Sequence, residues 1–260
     1  MPRRDWGAAC AVALALALAL GIGGCGGSGP KVPRGDPDLR HGPTAIDSYA
    51  QVEFMRALLI ASSDEFYAGG PAGDARTQLQ RARALYNQLA GRVRTADPTV
   101  DREVTARFNL VARLLAQGAP PDRYRDFAGP LSDQLMDGVS QALVPRAAGA
   151  DPGVKAEALR RIAIRMAADY DAATSALDDT QARLAFEEAW GMWRRGQAVA
   201  NILGNELGSK QSLVKNTLAT IHAKSFPQGP SIPQSPRPDQ VDGASVEIVD
   251  AVVKRFGLAP

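Results

Sequence analysis

The sequence predicts an all-α protein: a helical bundle built from two similar multi-helix repeats, preceded by a signal peptide and a flexible tether. Alanine and arginine are abundant while runs of β-branched residues are scarce, which favours helix over strand. Apolar residues also recur at helical spacing in segments that proline and glycine separate. The length and apolar content allow one sizeable core or two small ones.

Helices in the first half are delimited by proline, glycine and aspartate. The first is predicted over about 45–67, where Val52, Met55 and Leu59 share one face and Gly69-Gly70-Pro71 ends the helix. The others are a helix capped by Asp74, a helix opened by Asp97-Pro98 and ended by Gly118, a short piece over 121–127 broken by Gly129-Pro130, and an amphipathic stretch over 131–144.

The second half starts the pattern again. It contains a helix over about 154–177 behind Asp151-Pro152, a helix from Asp178-Asp179 to about 203, a break at 204–208, a helix to about 224, a Pro-rich loop over 226–238, and a final helix capped by Asp242 or Ser245 that ends near 256. Both halves therefore contain a helix pair, a third helix, a Pro-rich break and a closing helix.

Local sequence similarity supports an internal repeat with halves at about 45–145 and 153–256. Segments 110–116 and 213–219 match at four of seven positions, at an offset of 103. Nearly the same offset aligns Tyr67 with Tyr170 and Tyr86 with Trp190. Two repeats would imply two four-helix units packed into one helical domain.

The N-terminus has the three parts of a secretion signal, assigned to residues 1–24. Arg3 and Arg4 precede a ten-residue apolar core, AVALALALAL, which is too short to span ~30 Å of hydrocarbon. Ile22-Gly23-Gly24-Cys25 resembles the lipobox of bacterial lipoproteins, which implies that Cys25 is lipidated and becomes the first residue of the mature protein. Gly- and Pro-rich residues 25–44 are then expected to be a flexible tether.

Charge content argues against nucleic-acid binding, and cysteine content argues against a disulfide-stabilised mature protein. The chain has 30 Lys and Arg against 28 Asp and Glu, which argues against a nucleic-acid binder. Cys10, the other cysteine, lies inside the predicted signal, so no disulfide is expected in the mature protein.

Catalytic motifs are absent from the sequence, and the candidate chemistry is limited to carboxylates. His41 and His222 have no second histidine or carboxylate at metal-binding helical spacing, and no H-E-x-x-H or G-x-S-x-G occurs. Acidic residues stand beside a tyrosine in both halves, which makes a site for iron or another hard cation one hypothesis. Solvated charges paired with arginines are the alternative. The candidate ligands are Asp64, Glu65, Asp169 and Asp171.

Several segments together resemble the extracytoplasmic helical region of bacterial iron permeases. These are ARALY at 82–86, DPTV at 97–100, FNL at 108–110 and QGAP at 117–120, followed by ADYDAA at 168–173 and FEEA at 186–189. Imelysin-like proteins of iron uptake share such a repeated helical architecture. The permease R-E-x-x-E motif is missing, because Ala106 stands where its second glutamate would be, and the imelysin H-x-x-E motif is missing too. The resemblance therefore implies the fold more than the binding of iron.

The sequence leads to two functional hypotheses, neither of them enzymatic. The first is a lipoprotein anchored on the extracytoplasmic face of the cell membrane that assists metal uptake, with a membrane permease as a candidate partner. The second is a helical scaffold that recognises another envelope protein without binding metal.

Overall fold

The computed structural model describes residues 37–231 and 237–259, and all the regular elements in these ranges are helical. The predicted signal peptide and Cys25 lie outside the described residues. The helices are α1 (Pro37–His41), α2 (Pro43–Tyr67), α3 (Ala72–Ala96), α4 (Pro98–Ala116), α5 (Pro121–Pro130), α6 (Met136–Leu143), α7 (Arg146–Ala150), α8 (Pro152–Ser175), α9 (Asp179–Leu203), α10 (Gln211–Ser225) and α11 (Pro238–Phe256). A π turn over Leu131–Leu135 joins α5 to α6, and a 3₁₀ segment over Gly204–Lys210 joins α9 to α10. The predicted all-α fold is confirmed.

Two apolar clusters form the core of the bundle. One unites buried residues between Ala45 and Ala158, and the other unites Ala57 with residues from Ala156 to Leu258. They divide near the boundary between the proposed repeats. Helix α2 contributes to both clusters and packs against α3, α5, α6, α8 and α9. It is therefore the central helix, and the two halves share it.

The aligned aromatic pairs fare differently in the structure. Tyr86 on α3 and Trp190 on α9 are both buried, as their alignment predicts. Tyr67 is 50% exposed at the end of α2, whereas Tyr170 is fully buried in α8. This pair does not occupy equivalent environments, so the internal repeat stays a prediction.

Several helix starts follow from local capping, and two differ from expectation. Asp97, Asp151 and Asp178 accept hydrogen bonds from backbone N–H groups at the starts of α4, α8 and α9, as predicted. Asp74 is not a cap, because α3 already begins at Ala72. Helix α11 begins at Pro238, ahead of both predicted caps, since proline suits the first helical position.

The expected break at Gly129-Pro130 is wrong. The chain stays helical through Pro130, which is followed by the π turn. A π turn relaxes the i→i−4 ladder that proline disrupts. The guanidinium of Arg56, buried on α2, donates to the carbonyl oxygens of Ser132 at 3.2 Å and Asp133 at 3.3 Å. Helix α2 thereby supplies hydrogen bonds at the irregular turn.

Part of the predicted tether is ordered. Residues 37–41 form α1 and residues 43–44 begin α2. Arg40 Nε lies 3.0 Å and His41 Nε2 lies 2.7 Å from Asp151 Oδ2. Burial raises the pKa of Asp151, but hydrogen bonds from Arg40, the Gly153 N–H and His41 outweigh it and hold the pKa below its usual range. The end of the tether segment is thus attached to the start of α8, and residues 25–36 lie outside the described residues.

Candidate functional site

A groove lies between α2, α3, α8 and α9, with a volume of about 420 Å³. We call it the four-helix groove. Its size and mixed lining are typical of small-molecule sites, which are mainly apolar with a few placed polar groups. It is lined by Phe54, Leu58, Arg81, Ala84, Leu85, Arg165, Glu188 and Met192.

Two arginines at the groove converge on one buried carboxylate. Glu188 is 5% exposed and forms ion pairs with Arg81 from α3 and with Arg165 from α8, the latter at 3.2 Å. Arg165 Nε is also 2.8 Å from Asp169 Oδ1. The arginine side chains are 46% and 53% exposed, so part of each guanidinium reaches solvent. A guanidinium has five N–H donors, and donors remain for an acceptor group on a ligand.

A second polar group lies where α2, α3 and α9 meet; we call it the junction cluster. It consists of Glu65, Asp74, Gln78, Arg183 and Glu187. Gln78 Nε2 donates to Glu187 Oε2 at 3.1 Å and to the Leu184 carbonyl oxygen at 2.9 Å. Arg183 Nε is 2.9 Å from Asp74 Oδ2. These polar contacts link α3 to α9, and Glu65 from α2 is buried beside them.

Burial dominates the protonation of this region. Loss of solvation, together with the nearby carboxylates Glu65 and Asp74, raises the pKa of Glu187 to about 8, although Gln78 and Arg183 lower it. Burial, with Asp74 nearby, also raises the pKa of Glu65. At the groove, burial raises the pKa of Asp169 although Arg165 opposes it. Carboxyl groups with perturbed pKa values beside a groove are typical of functional sites.

The four predicted metal ligands are placed separately. Asp64 Oδ2 accepts a hydrogen bond from Trp190 Nε1 at 3.1 Å and pairs with Arg194 at 3.3 Å. Glu65 is buried in the junction cluster, Asp169 pairs with Arg165 beside the groove, and Asp171 is exposed on α8. Within 37–231 and 237–259, no group of three or more His, Cys, Asp or Glu side chains is arranged to hold a metal ion.

The large apolar residues of α9 belong to the second apolar cluster. Phe186, Trp190, Met192 and Trp193 are all buried in the core. His222, in the last turn of α10, stacks on Trp193 with ring centroids 4.6 Å apart.

Sequence reasoning missed Arg81, Arg165 and Gln78. Gln78 had a usable signal, because it stands next to Leu79 on the face of α3 that continues to Ala82 and is fully buried. The arginines had none, since surface arginines are common throughout the chain.

A larger cleft, of about 520 Å³, lies at Tyr49, Gln141 and Arg146. Its lining comes from α2 and the end of the first half, and it has no carboxyl group. The four-helix groove combines charged groups from both halves with an apolar wall, and it is therefore the better candidate for a binding site.

Comparison with models of protein families, with curated proteins and with solved structures yields no match for this chain. None of the helices in the described part of the chain combines the length and apolar character needed to cross a membrane.

Proposed function

We propose that this chain is an exported, lipid-anchored, non-enzymatic binding protein and that the four-helix groove is its binding site. The supporting observation is that apolar side chains from α2, α3 and α9 meet two half-exposed arginines in one groove. The two histidines already have structural contacts, His41 with Asp151 and His222 with Trp193.

The lining indicates the class of ligand. An apolar body would pack against Phe54, Leu58 and Met192, and an oxygen-rich head would accept hydrogen bonds from the exposed N–H groups of Arg81 and Arg165. A carboxylate-bearing amphiphile has both features. The ligand is thus proposed to be organic rather than a metal ion.

Two observations make the other hypotheses weaker. A metal-binding function would need ligands that come together, and the predicted ones lie apart with Asp64 and Asp169 paired to arginines. A scaffold would present a continuous apolar surface. The exposed large apolar residues in the described ranges instead lie singly, five on different helices and Leu177 in the loop between α8 and α9: Tyr67, Ile164, Leu177, Ile202, Leu213 and Val246.

Dodecanoate binding tests the groove. Equilibrium dialysis of the Cys25→Ala chain should show saturable binding, and dodecyltrimethylammonium should bind more weakly because its cationic head faces the arginines. Joint replacement Arg81→Gln and Arg165→Gln should weaken dodecanoate binding roughly a hundredfold, the effect of losing two charge-assisted hydrogen bonds of about 1.5 kcal/mol each. Arg76→Gln, an exposed position on α3 outside the groove, is the matched control. Equal binding by the double variant and the control would refute this site.

Radiolabelled palmitate tests the anchor. In a bacterial host the wild-type chain should incorporate label and sediment with membranes, and Cys25→Ala should do neither. Cys10→Ala is the matched control and should keep the label, since Cys10 lies in the segment predicted to be removed. Labelled Cys25→Ala protein would show that the lipid is attached elsewhere.

A further inference from the structure

The junction cluster has more acidic groups than nearby cations can neutralise. Glu65 is 7% exposed, Asp74 6% and Glu187 1%. The cation that pairs within the cluster is Arg183, which is bound to Asp74. For two unpaired carboxylates buried to this extent, the loss of hydration free energy would far exceed the stabilisation from contacts within the cluster. The composition therefore favours at least one neutral carboxyl group.

Unpartnered oxygens point to the same conclusion. Glu65 Oε2, Gln78 Oε1 and Glu187 Oε1 are buried and have no hydrogen-bond partner among the described residues. Three acceptors without a donor are unfavourable, and a proton on one carboxyl group converts an acceptor into a donor. A proton on Glu65 or Glu187 would supply a donor where these buried oxygens have none.

Groups from α2, α3 and α9 surround Glu187. Glu65 faces it from α2, Asp74 and Gln78 from α3, and Arg183 from the preceding turn of α9. On α8, Arg165 instead donates to Asp169 and to Glu188. Among these ionisable neighbours of Glu187, Arg183 is basic, whereas Glu65 and Asp74 are acidic.

We propose that the junction cluster is a proton-dependent latch, in which a proton on Glu187 holds α3 against α9 and its loss loosens that contact. Protonated Glu187 keeps its hydrogen bond with Gln78, whereas the carboxylate form places a buried negative charge beside Glu65 and Asp74. The latch goes beyond the proposed binding function. The groove is also formed in part by α3 and α9, and only an effect of the latch on ligand binding there would rest on the proposed binding function.

The direction of the pH effect follows from burial. The pKa of Glu187 is about 8 in the folded chain and near the ordinary glutamate value in the unfolded chain, so the folded state binds the additional proton between those values. The stabilisation that comes from protonated Glu187 is complete below about pH 4, falls as the pH rises, and is lost above about pH 8.

Urea unfolding at several pH values tests the proton. Between about pH 5 and pH 8, one such group raises the equilibrium constant of unfolding by up to tenfold for each pH unit. The free energy of unfolding falls accordingly as the pH rises. Glu187→Gln, neutral and similar in shape, should remove this share of the slope. Glu103→Gln on α4, an exposed site, should keep it. Equal slopes for wild type and Glu187→Gln would overturn the proposal.

Two measurements keep the test decisive if Glu187→Gln fails to fold. Carbon NMR of wild-type protein with labelled glutamate carboxyl groups should show one buried group that titrates near pH 8. Hydrogen exchange, corrected for its intrinsic pH dependence, should show α3 losing protection above that pH while α11 keeps it. A cluster that titrates in the ordinary glutamate range refutes the proton, and unchanged α3 protection refutes the latch. None of these readouts uses dodecanoate, so failure of the groove would be recognised separately.

Discussion

A close approach of α9 to α2 predicts a strong effect of one methyl group. Gly191 on α9 faces α2, and a Cβ built on it would lie 2.2 Å from the Ala57 carbonyl oxygen, 2.9 Å from the Ala57 carbonyl carbon and 3.2 Å from Ala61 Cβ. Two of these atoms belong to backbone and cannot turn away as a flexible side chain would. Gly191→Ala must therefore push α9 away from α2.

The magnitude is a balance of two opposing effects. Replacing glycine by alanine inside a helix stabilises the helix by about 1 kcal/mol. Overpacking of a well-packed core costs about 1–3 kcal/mol, and contact with backbone puts this site at the upper end. We expect Gly191→Ala to lower the free energy of unfolding by about 2 kcal/mol, which lowers Tm by roughly 4–8 °C for a chain of this size.

Gly91→Ala on α3 is the matched control, because a Cβ there meets nothing within 4 Å. It should raise the free energy of unfolding by about 0.5–1 kcal/mol. Urea titration followed by far-UV circular dichroism measures both variants. If Gly191→Ala is as stabilising as Gly91→Ala, the close approach of α2 and α9 is wrong.

Three further substitutions test other contacts. Asp151→Ala should lower the free energy of unfolding by about 1–2 kcal/mol, because it removes the α8 cap. Since the pKa of Asp151 is lowered in the folded chain, the loss should be full at neutral pH and should shrink as acid protonates the wild-type carboxylate. Urea titrations that show the same loss at all pH values would contradict the assignment. Arg56→Gln should lower the free energy of unfolding by about 3 kcal/mol, since it breaks buried ionic contacts beside the π turn. A thermal unfolding midpoint equal to that of the wild type would show that the turn needs no support from Arg56. Trp193→Phe removes the 2.8 Å hydrogen bond from Nε1 to the Leu218 carbonyl oxygen. It should lower the free energy of unfolding, measured in urea, by about 1 kcal/mol. An unchanged free energy would show that this bond is absent in solution.

Helix boundaries were predictable where the signal is local. Asp97, Asp151 and Asp178 cap their helices because an aspartate side chain accepts backbone N–H groups two or three residues ahead. Pro130 failed as a local signal, since a π turn and Arg56 from a distant helix accommodate it. Local rules therefore work until another part of the chain supplies the missing hydrogen bonds.

The candidate site was predictable only in fragments. Their position near tyrosines predicts Asp169 and Glu65 as metal ligands, but the structure places Asp169 beside the groove and Glu65 in the junction cluster, without a common ligand set. Their actual partners could not be read from spacing. Gln78 and Glu187 are separated by 109 residues, and only packing of α3 against α9 brings them together.

The sequence by itself determined the helical fold class and most helix limits, because short-range capping and periodicity are properties of neighbouring residues. Lipidation of Cys25, which lies outside the described residues, stays a prediction. Only the tertiary structure decided that Arg81 and Arg165 share Glu188, and that Glu187 is buried beside other carboxyl groups. The physical reason is that solvation and charge pairing depend on which helices pack together. A glutamate on an amphipathic helix is an ordinary surface residue until a neighbouring helix removes its water.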